Sequence, residues 1–347
     1  MPFVTDRLAQ QNGSPALRVS PGELSRRLAA GVLGQDRAVE AVTRAVTLAR
    51  AGLVGDERPL ANLLLVGPTG VGKTELVRRL AAILRSGPDD LCRVDMSALA
   101  QEHYAASFSG APPGYAGSKE GYSLFERTKI EGDPYTPGIV LFDEVEKAHP
   151  TVLRALLQVL DHGILRLANG QERVEFRNCF VFMTSNLGSR QLSRLLSGPV
   201  GHAERWRHRN APRMPGTQRV MRSATGRIAN REIRRFFDPE FLNRLDEVVI
   251  MNDLEPEVAR QIVRLRVEEL TSRAARRSVD LTVSPAVIDL LLDTGFDPAY
   301  GARNLQRAVR RHLSVPLAHA MADRTGRDRP LRLLADLKGG EVSVTRV

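Results

Sequence analysis

Cysteine and lysine are scarce in this chain, and no apolar run approaches membrane-spanning length. The two cysteines, Cys92 and Cys179, each fall in a segment that reads as strand. Neither belongs to a CxxC pair or has a histidine at ligand spacing. The expectation is two buried free thiols, not a disulfide framework or a metal site. No apolar stretch reaches the roughly 18 residues of a bilayer-spanning helix. Residues 1–22 are polar, lack the apolar core of a signal peptide, and read as a flexible leader on a cytoplasmic protein. Five lysines stand against 45 arginines, within a net charge of +10. Such a bias can come from base composition alone, which weakens a nucleic-acid reading of the charge. The excess is also local. Residues 197–235 hold ten arginines and two acids, Glu204 and Glu232. This stretch reads as a solvated basic insertion, with a site for nucleic acid or an acidic partner as the alternative.

A chain of 347 residues accommodates two domains, and a hydrophobic content of 42% is ordinary for a globular protein. Short apolar runs at about 62–66, 91–95, 139–143, 179–184 and 247–250 alternate with helical patterns. That alternation predicts an α/β fold, a parallel sheet flanked by helices. Helices are expected over Glu23–Ala30 and Gln35–Arg50, the latter with Val39, Val42, Val46 and Ala49 on one face. Asn169-Gly170 predicts a hairpin near 164–177. Ser197 to Thr225, rich in Gly, Pro, Arg and His, reads as loop. From residue 254 the pattern becomes helical, with Pro256 and Ser284-Pro285 as helix starts and Gly339-Gly340 as a terminal hairpin turn. The expected division is a large domain over 23–253, carrying the basic insertion at about 197–225, and a small helical domain over 254–347.

The chemistry starts at Gly67-Pro68-Thr69-Gly70-Val71-Gly72-Lys73-Thr74, which fits G-x-x-x-x-G-K-[ST]. It lies between the apolar run Asn62–Val66 and the helical Glu75–Leu84. Glycines let backbone N–H groups curl around a β-phosphate, and a helix N-terminus adds positive potential. Lys73 would reach the β- and γ-phosphates of ATP, and the Thr74 hydroxyl would bind Mg²⁺. Downstream, Ile139-Val140-Leu141-Phe142-Asp143-Glu144 is an apolar strand ending in two acids. Asp143 would support the Mg²⁺, and Glu144 would polarise the attacking water as general base. A second polar strand end, Thr184-Ser185-Asn186, offers an amide that either orients that water or caps the following turn.

Taken together, the chain resembles the Clp-family AAA+ ATPases, and most of all the second ATPase module of ClpB-type unfoldases. The matches run in order: Val32-Leu33-Gly34-Gln35, Arg50-Ala51-Gly52-Leu53, the phosphate loop with Glu75-Leu76, Asp143 to Pro150, Thr184 to Ser189, Phe237 to Glu247, and Gly301-Ala302-Arg303. The resemblance implies a five-stranded parallel AAA+ sheet followed by a small, mainly helical domain of the ClpB D2-small type. It implies a nucleotide set of Val32, Leu33, Gly67, Pro68, Thr69, Gly70, Val71, Gly72, Lys73, Thr74, Glu75, Asp143 and Arg303. Val32 and Leu33 would line the adenine pocket. Asn186 matches the first sensor, and Arg303 matches the second, which touches the γ-phosphate. Arg244 matches the arginine finger that reaches into a neighbouring subunit, so a hexameric ring is implied.

Gly114-Tyr115-Ala116-Gly117 matches the pore loop that grips a threaded polypeptide, against the plainer reading of a buried tyrosine in a turn. The family usually has Val at Ala116, a second aromatic at Ser118 and more acid near Lys119. A short insertion falls near 130–136. The first ATPase module, the middle domain, the substrate-binding N-domain and a tripeptide loop for docking a ClpP-type peptidase are not found. The expectation is therefore a single-module ATPase that remodels a protein substrate, with or without an adaptor. A nucleic-acid motor or loader, and an ATP-gated assembly switch with slow turnover, are the competing readings.

Overall fold

The computed structural model describes residues 19–101, 108, 124–133, 135–166, 173–188, 215–297, 301–322 and 331–347, with the side chains of 215–225 left aside. The described chain separates into two compact units. One comprises Met1–Gly67 and Gly72–Asn252, the other Pro68–Val71 and Asp253–Val347.

The first unit is built on a parallel five-stranded sheet. In chain order its strands are β1 (Ala61–Val66), β2 (Cys92–Asp95), β3 (Gly138–Asp143), β6 (Cys179–Ser185) and β7 (Glu247–Ile250). They lie in the spatial order β2-β3-β6-β1-β7. Strands β1, β3 and β6 are buried along their whole length, as continuous apolar runs in the middle of a two-sided parallel sheet must be. At the edges burial relaxes. Along β2, Cys92 and Val94 are buried while Arg93 and Asp95 are exposed. Register places Val66 beside Ser185 and Ile250, and Asp95 beside Asp143. The carboxyl ends of the strands therefore finish at one edge, where ligands of open parallel sheets bind.

Helix α1 (Pro21–Gly31) starts with Pro21 behind the cap Ser20, whose hydroxyl accepts from Glu23 N–H at 3.2 Å. Helix α2 (Asp36–Arg50) buries the predicted face of Val39, Val42, Val46 and Ala49. Helix α3 (Lys73–Leu84) rises directly from the phosphate loop. A short helix α4 (Arg127–Glu131) precedes β3, and α5 (Pro150–His162) follows it and stops at Gly163, φ +61°. The hairpin arms β4 (Ile164–Arg166) and β5 (Arg173–Glu175) pair antiparallel as predicted; their Asn-Gly turn lies outside the described residues.

One expectation fails. The segment read as loop up to Thr225 contains the start of helix α6 (Pro215–Phe236). The Gly, Arg and polar content of that segment hid the helix, whose buried residues Ala229 and Ile233, with Phe237 just past its end, lie further along the chain. These residues recur every four positions and are buried in the sheet's core. Helix α7 (Pro239–Asn243) then leads to β7.

The second unit contains α8 (Pro256–Ala275), α9 (Pro285–Gly295) and α10 (Ala302–Val309). A π-helical turn (Arg310–Ser314) carries α10 into α11 (Val315–Ala322). These helices bury Val263, Leu291, Leu305 and Leu313. The terminal hairpin of β9 (Leu331–Lys338) and β10 (Glu341–Arg346) is present, and β8 (Val279–Val283) adds to it in parallel. That third strand was missed in the sequence, although Val279 and Leu281 are buried and Asp280 and Thr282 exposed, the period-2 pattern of a one-sided strand. Within this unit, Ala302 N–H donates to Gly70 O at 3.0 Å, and a Cβ on Gly301 would come within 2.7 Å of Thr69 O. Only a residue without a side chain permits that approach. Among the described residues no helix is long and apolar enough to cross a membrane.

Candidate nucleotide site

The phosphate loop leaves β1 at Gly67, whose N–H donates to Ser185 O at 3.1 Å. A Cβ on Gly67 would stand 2.9 Å from Met251 Cβ. Gly70 and Gly72 turn the chain with φ of +82° and +106°, a region closed to most L-residues. Gly72 caps α3, which opens on Lys73, Thr74 and Glu75. N–H groups at a helix N-terminus and a lysine ammonium suit phosphate oxygens, and a threonine hydroxyl oxygen suits a hard cation. Lys73 is buried, and its ammonium donates to Gly67 O at 2.6 Å and to Asn186 Oδ1 at 2.9 Å. The Glu75 carboxylate pairs with Arg79 at 2.9 Å and Arg78 at 3.7 Å along the helix. Val32 is buried against the loop, its Cγ1 3.3 Å from the Cβ position of Gly72, while Leu33 beside it is half-buried.

The two acids at the end of β3 differ in setting. Asp143 is buried. Its Oδ1 accepts from the Thr184 hydroxyl, and its Oδ2 accepts from both Nε (3.1 Å) and Nη2 of Arg93. Glu144 adopts the left-handed conformation, φ +60° and ψ +51°, which is strained for a residue with a side chain. Three contacts hold it there. Its N–H donates to Thr184 Oγ1 at 3.0 Å, Asn186 Nδ2 donates to its Oε1 at 3.1 Å, and Lys147 Nζ donates to its Oε2. The Lys147 ammonium is held above the usual lysine range, chiefly by that hydrogen bond.

Asn186 joins the loop to the acids. Its amide orientation is set by its neighbours, since an ammonium only donates and a carboxylate only accepts. Oδ1 must face Lys73, and Nδ2 must face Glu144. Glu146 anchors the residue from below, its Oε1 accepting from Asn186 N–H at 3.0 Å. The turn beyond is held by Ser185 Oγ, which accepts from Leu187 N–H at 3.2 Å. The structure thus brings together Lys73, Asp143, Glu144 and Asn186, and adds Arg93, Lys147, Glu146 and Thr184, which sequence reasoning missed. Thr184 and Glu146 sat inside quoted motifs, yet only the pairing of β3 with β6 shows what they touch. A further pair was missed. Gln35 and Asn252 exchange hydrogen bonds between side chain and backbone (2.9 and 2.8 Å), and Asn252 Nδ2 donates to Gly34 O at 2.9 Å. These bonds tie the Val32–Leu33 corner to the end of β7.

Of the two arginines named from the resemblance, Arg244 belongs to the same unit as this cluster and stands apart from it. Arg244 follows α7, and its carbonyl accepts from Asn62 Nδ2 at 3.1 Å. Its guanidinium pairs with Asp161 at 3.2 Å. Asn62 is the second residue of β1, whereas the phosphate loop follows Val66, four strand steps or about 13 Å further along. Arg244 therefore stands at the amino edge of the sheet, away from the carboxyl edge of its own subunit's loop. Arg303 is exposed in the first turn of α10, in the second unit. The loop Gly114–Gly117 lies outside the described residues. Both cysteines are buried and free, and burial pushes both thiols up, Cys179 strongly.

Comparisons with known proteins agree with this geometry. Residues 58–248 match the family described as AAA domain (Cdc48 subfamily), and residues 254–329 match the C-terminal D2-small domain of ClpB protein. An ATP-dependent protease ATP-binding subunit-like protein of Rhodococcus erythropolis is 52% identical over 100% of this chain and 99% of its own length. The AmiB protein of the same description from Pseudomonas aeruginosa is 46% identical, over 88% of this chain and 81% of its own. Chaperone protein ClpB 1 of Parasynechococcus marenigrum is 41% identical over 92% of this chain, which spans only 35% of that protein. Among solved structures, the S. cerevisiae Hsp104:casein complex superposes with a TM-score of 0.76 at 30% identity, over 98% of this chain and 55% of that one. An AAA domain followed by a ClpB-type D2-small domain, with a phosphate loop and an acid pair at the end of β3, places this chain in the Clp branch of the AAA+ ATPases.

Proposed function

We propose that this ATPase is a protein-remodelling motor that works on polypeptide as a single hexameric ring. The observation that carries the reading of the site is the Asn186 amide, hydrogen-bonded to both Lys73 and Glu144. The group assigned to the phosphates and the group assigned to the water are thereby held in one frame.

In this reading Lys73 and the N–H groups of the loop bind the β- and γ-phosphates. Thr74 and Asp143 hold the Mg²⁺ of MgATP, and Val32 and Leu33 receive the adenine. When bound, the metal neutralises phosphate charge as the γ-phosphoryl group is transferred. Glu144 accepts the proton of the attacking water, and Asn186 orients that water through the amide that now faces the base. For Glu144 to act as base, its carboxylate must exchange Lys147 for the water. Arg244 serves the neighbouring subunit, which its place at the opposite sheet edge supports. Arg303 reads the γ-phosphate. The loop Gly114–Gly117, with Tyr115 as its aromatic, grips substrate. The likeness to Hsp104 solved with casein supports polypeptide as the substrate class.

The test is a Glu144→Gln variant, which removes water activation and leaves the phosphate contacts. Loaded with ATP, it should hold fluorescently labelled casein in a form that sediments with the ring, and Tyr115→Ala in the same background should release it. Normal ATP turnover by Glu144→Gln would defeat the base assignment. Casein held equally well without Tyr115 would defeat the threading assignment.

A further inference from the structure

Both oxygens of the Asp143 carboxylate accept hydrogen bonds from side chains. Thr184 donates to Oδ1, and the Arg93 guanidinium donates twice to Oδ2. Thr184 is buried and neutral, so it fixes the carboxylate's orientation without neutralising its charge. Arg93 does neutralise it. This arginine reaches Asp143 from edge strand β2, with its side chain 54% exposed against 11% for the aspartate. The acid directly beside Asp143 in the sheet, Asp95, is otherwise occupied. Its carboxylate caps the next turn by accepting from Ser97 N–H at 2.9 Å and Ser97 Oγ at 2.7 Å, which holds it below the usual carboxylate range. Among the described residues the salt-bridge partner of Arg93 is Asp143, the acid read as the metal-supporting residue.

The geometry points to Arg93 as a positioning residue that competes with Mg²⁺ for Asp143 and so sets how much Mg²⁺ the site requires. The inference rests on the reading of Asp143 given above. A guanidinium and a divalent cation cannot both take full advantage of one carboxylate charge. The Arg93 end of the pair is more than half exposed and can swing into water as the metal takes over the compensating charge. The metal thus finds an oriented acid whose resting partner is displaceable. With Arg93 in place, the buried carboxylate is not left uncompensated between nucleotides, a state that would be costly.

The experiment titrates Mg²⁺ into the full chain at fixed fluorescent ADP and reads nucleotide binding, not turnover. It compares wild type, Arg93→Gln, Arg93→Met, Arg93→Lys, Asp143→Asn and the double variant Arg93→Gln/Asp143→Asn. Both neutral replacements should lower the half-saturating Mg²⁺ about two- to fivefold, the range set by a weak pair. Lysine should stay close to wild type. In the Asp143→Asn background, Arg93→Gln should have no further effect. A purely structural arginine gives the opposite sign, because a misplaced Asp143 raises the Mg²⁺ requirement. An unchanged or raised requirement in both neutral variants overturns the proposal. So does a shift that persists in the double variant, which marks a general charge effect. If Asp143→Asn alone leaves the Mg²⁺ requirement unaltered, the reading of Asp143 fails, and the Arg93 inference falls with it.

Discussion

The Lys73 ammonium stands 2.9 Å from the Asn186 amide oxygen, across two strand ends that come from distant parts of the sequence. The other end of the same amide donates to Glu144. Substituting Asn186 should therefore affect chemistry more than binding. In Asn186→Ala, Lys73 keeps Gly67 O as a partner and nucleotide affinity should change only a few-fold, while turnover should fall about 10²-fold, the usual cost of losing one positioned polar group near the reacting atoms. Paired measurements of nucleotide Kd and kcat decide this. Equal losses in both would make Asn186 a binding residue.

Gly72 should not tolerate a side chain. At φ +106° an alanine costs about 1–2 kcal/mol in backbone strain, and its Cβ would press on Val32 at 3.3 Å. Gly52, at φ +67° with nothing within 4 Å of its Cβ position, supplies the control. Both alanine variants should be destabilised by similar amounts in urea unfolding. Only Gly72→Ala should also weaken ATP binding, by an order of magnitude or so if the loop loses its shape. Equal ATP affinity in the two variants would mean that the loop absorbs the strain elsewhere.

Arg244→Ala should leave the fold almost untouched. Its pair with Asp161 is more than a third exposed on both sides, and such pairs contribute little. Hydrolysis should nevertheless drop by about 10³-fold, the lower end of arginine-finger effects. Wild-type specific activity should rise with protein concentration as rings form. A flat profile in a sample shown to be monomeric by light scattering would contradict a trans-acting role.

The buried thiols predict a pH response. Burial raises both cysteine pKa values above 9.0, so the folded state keeps protons that the unfolded chain releases. Their contribution to stability is complete below pH 9.0 and is lost as pH climbs through the raised values. In that window each thiol should tilt unfolding free energy by up to about 1.4 kcal/mol per pH unit. Cys179→Ala should flatten the slope of stability against pH above pH 9.0, whatever it does to stability at neutral pH. Neither native thiol should react with Ellman's reagent at pH 8, and both should react in denaturant.

The phosphate loop, the acid pair and the central strands were legible in the chain because each is a local pattern. A buried parallel strand must be an unbroken apolar run, and a phosphate cradle must have its glycines and lysine at fixed spacing. Helix α2 was legible for a similar reason, as its buried valines recur at helical intervals. Helix α6 was not, because three spaced apolar residues among arginines are a weak signal until a core is there to receive them. Strand β8 was passed over because its alternation covers only five residues between two strong helical patterns.

What the sequence by itself determined was the list of segments: the phosphate loop, the two acids, Asn186 at its strand end and the two arginines, each within its own stretch. Tertiary structure alone decided which parts meet. Parallel pairing of β1, β3 and β6 carries Lys73, Glu144 and Asn186 to one edge, and sheet direction sends Arg244 to the other. The side-chain partners Arg93, Thr184, Glu146 and Lys147 gain their meaning the same way. Hydrogen-bond partners across neighbouring strands depend on register and strand order, and those are set by burial of the whole sheet, which no single segment encodes.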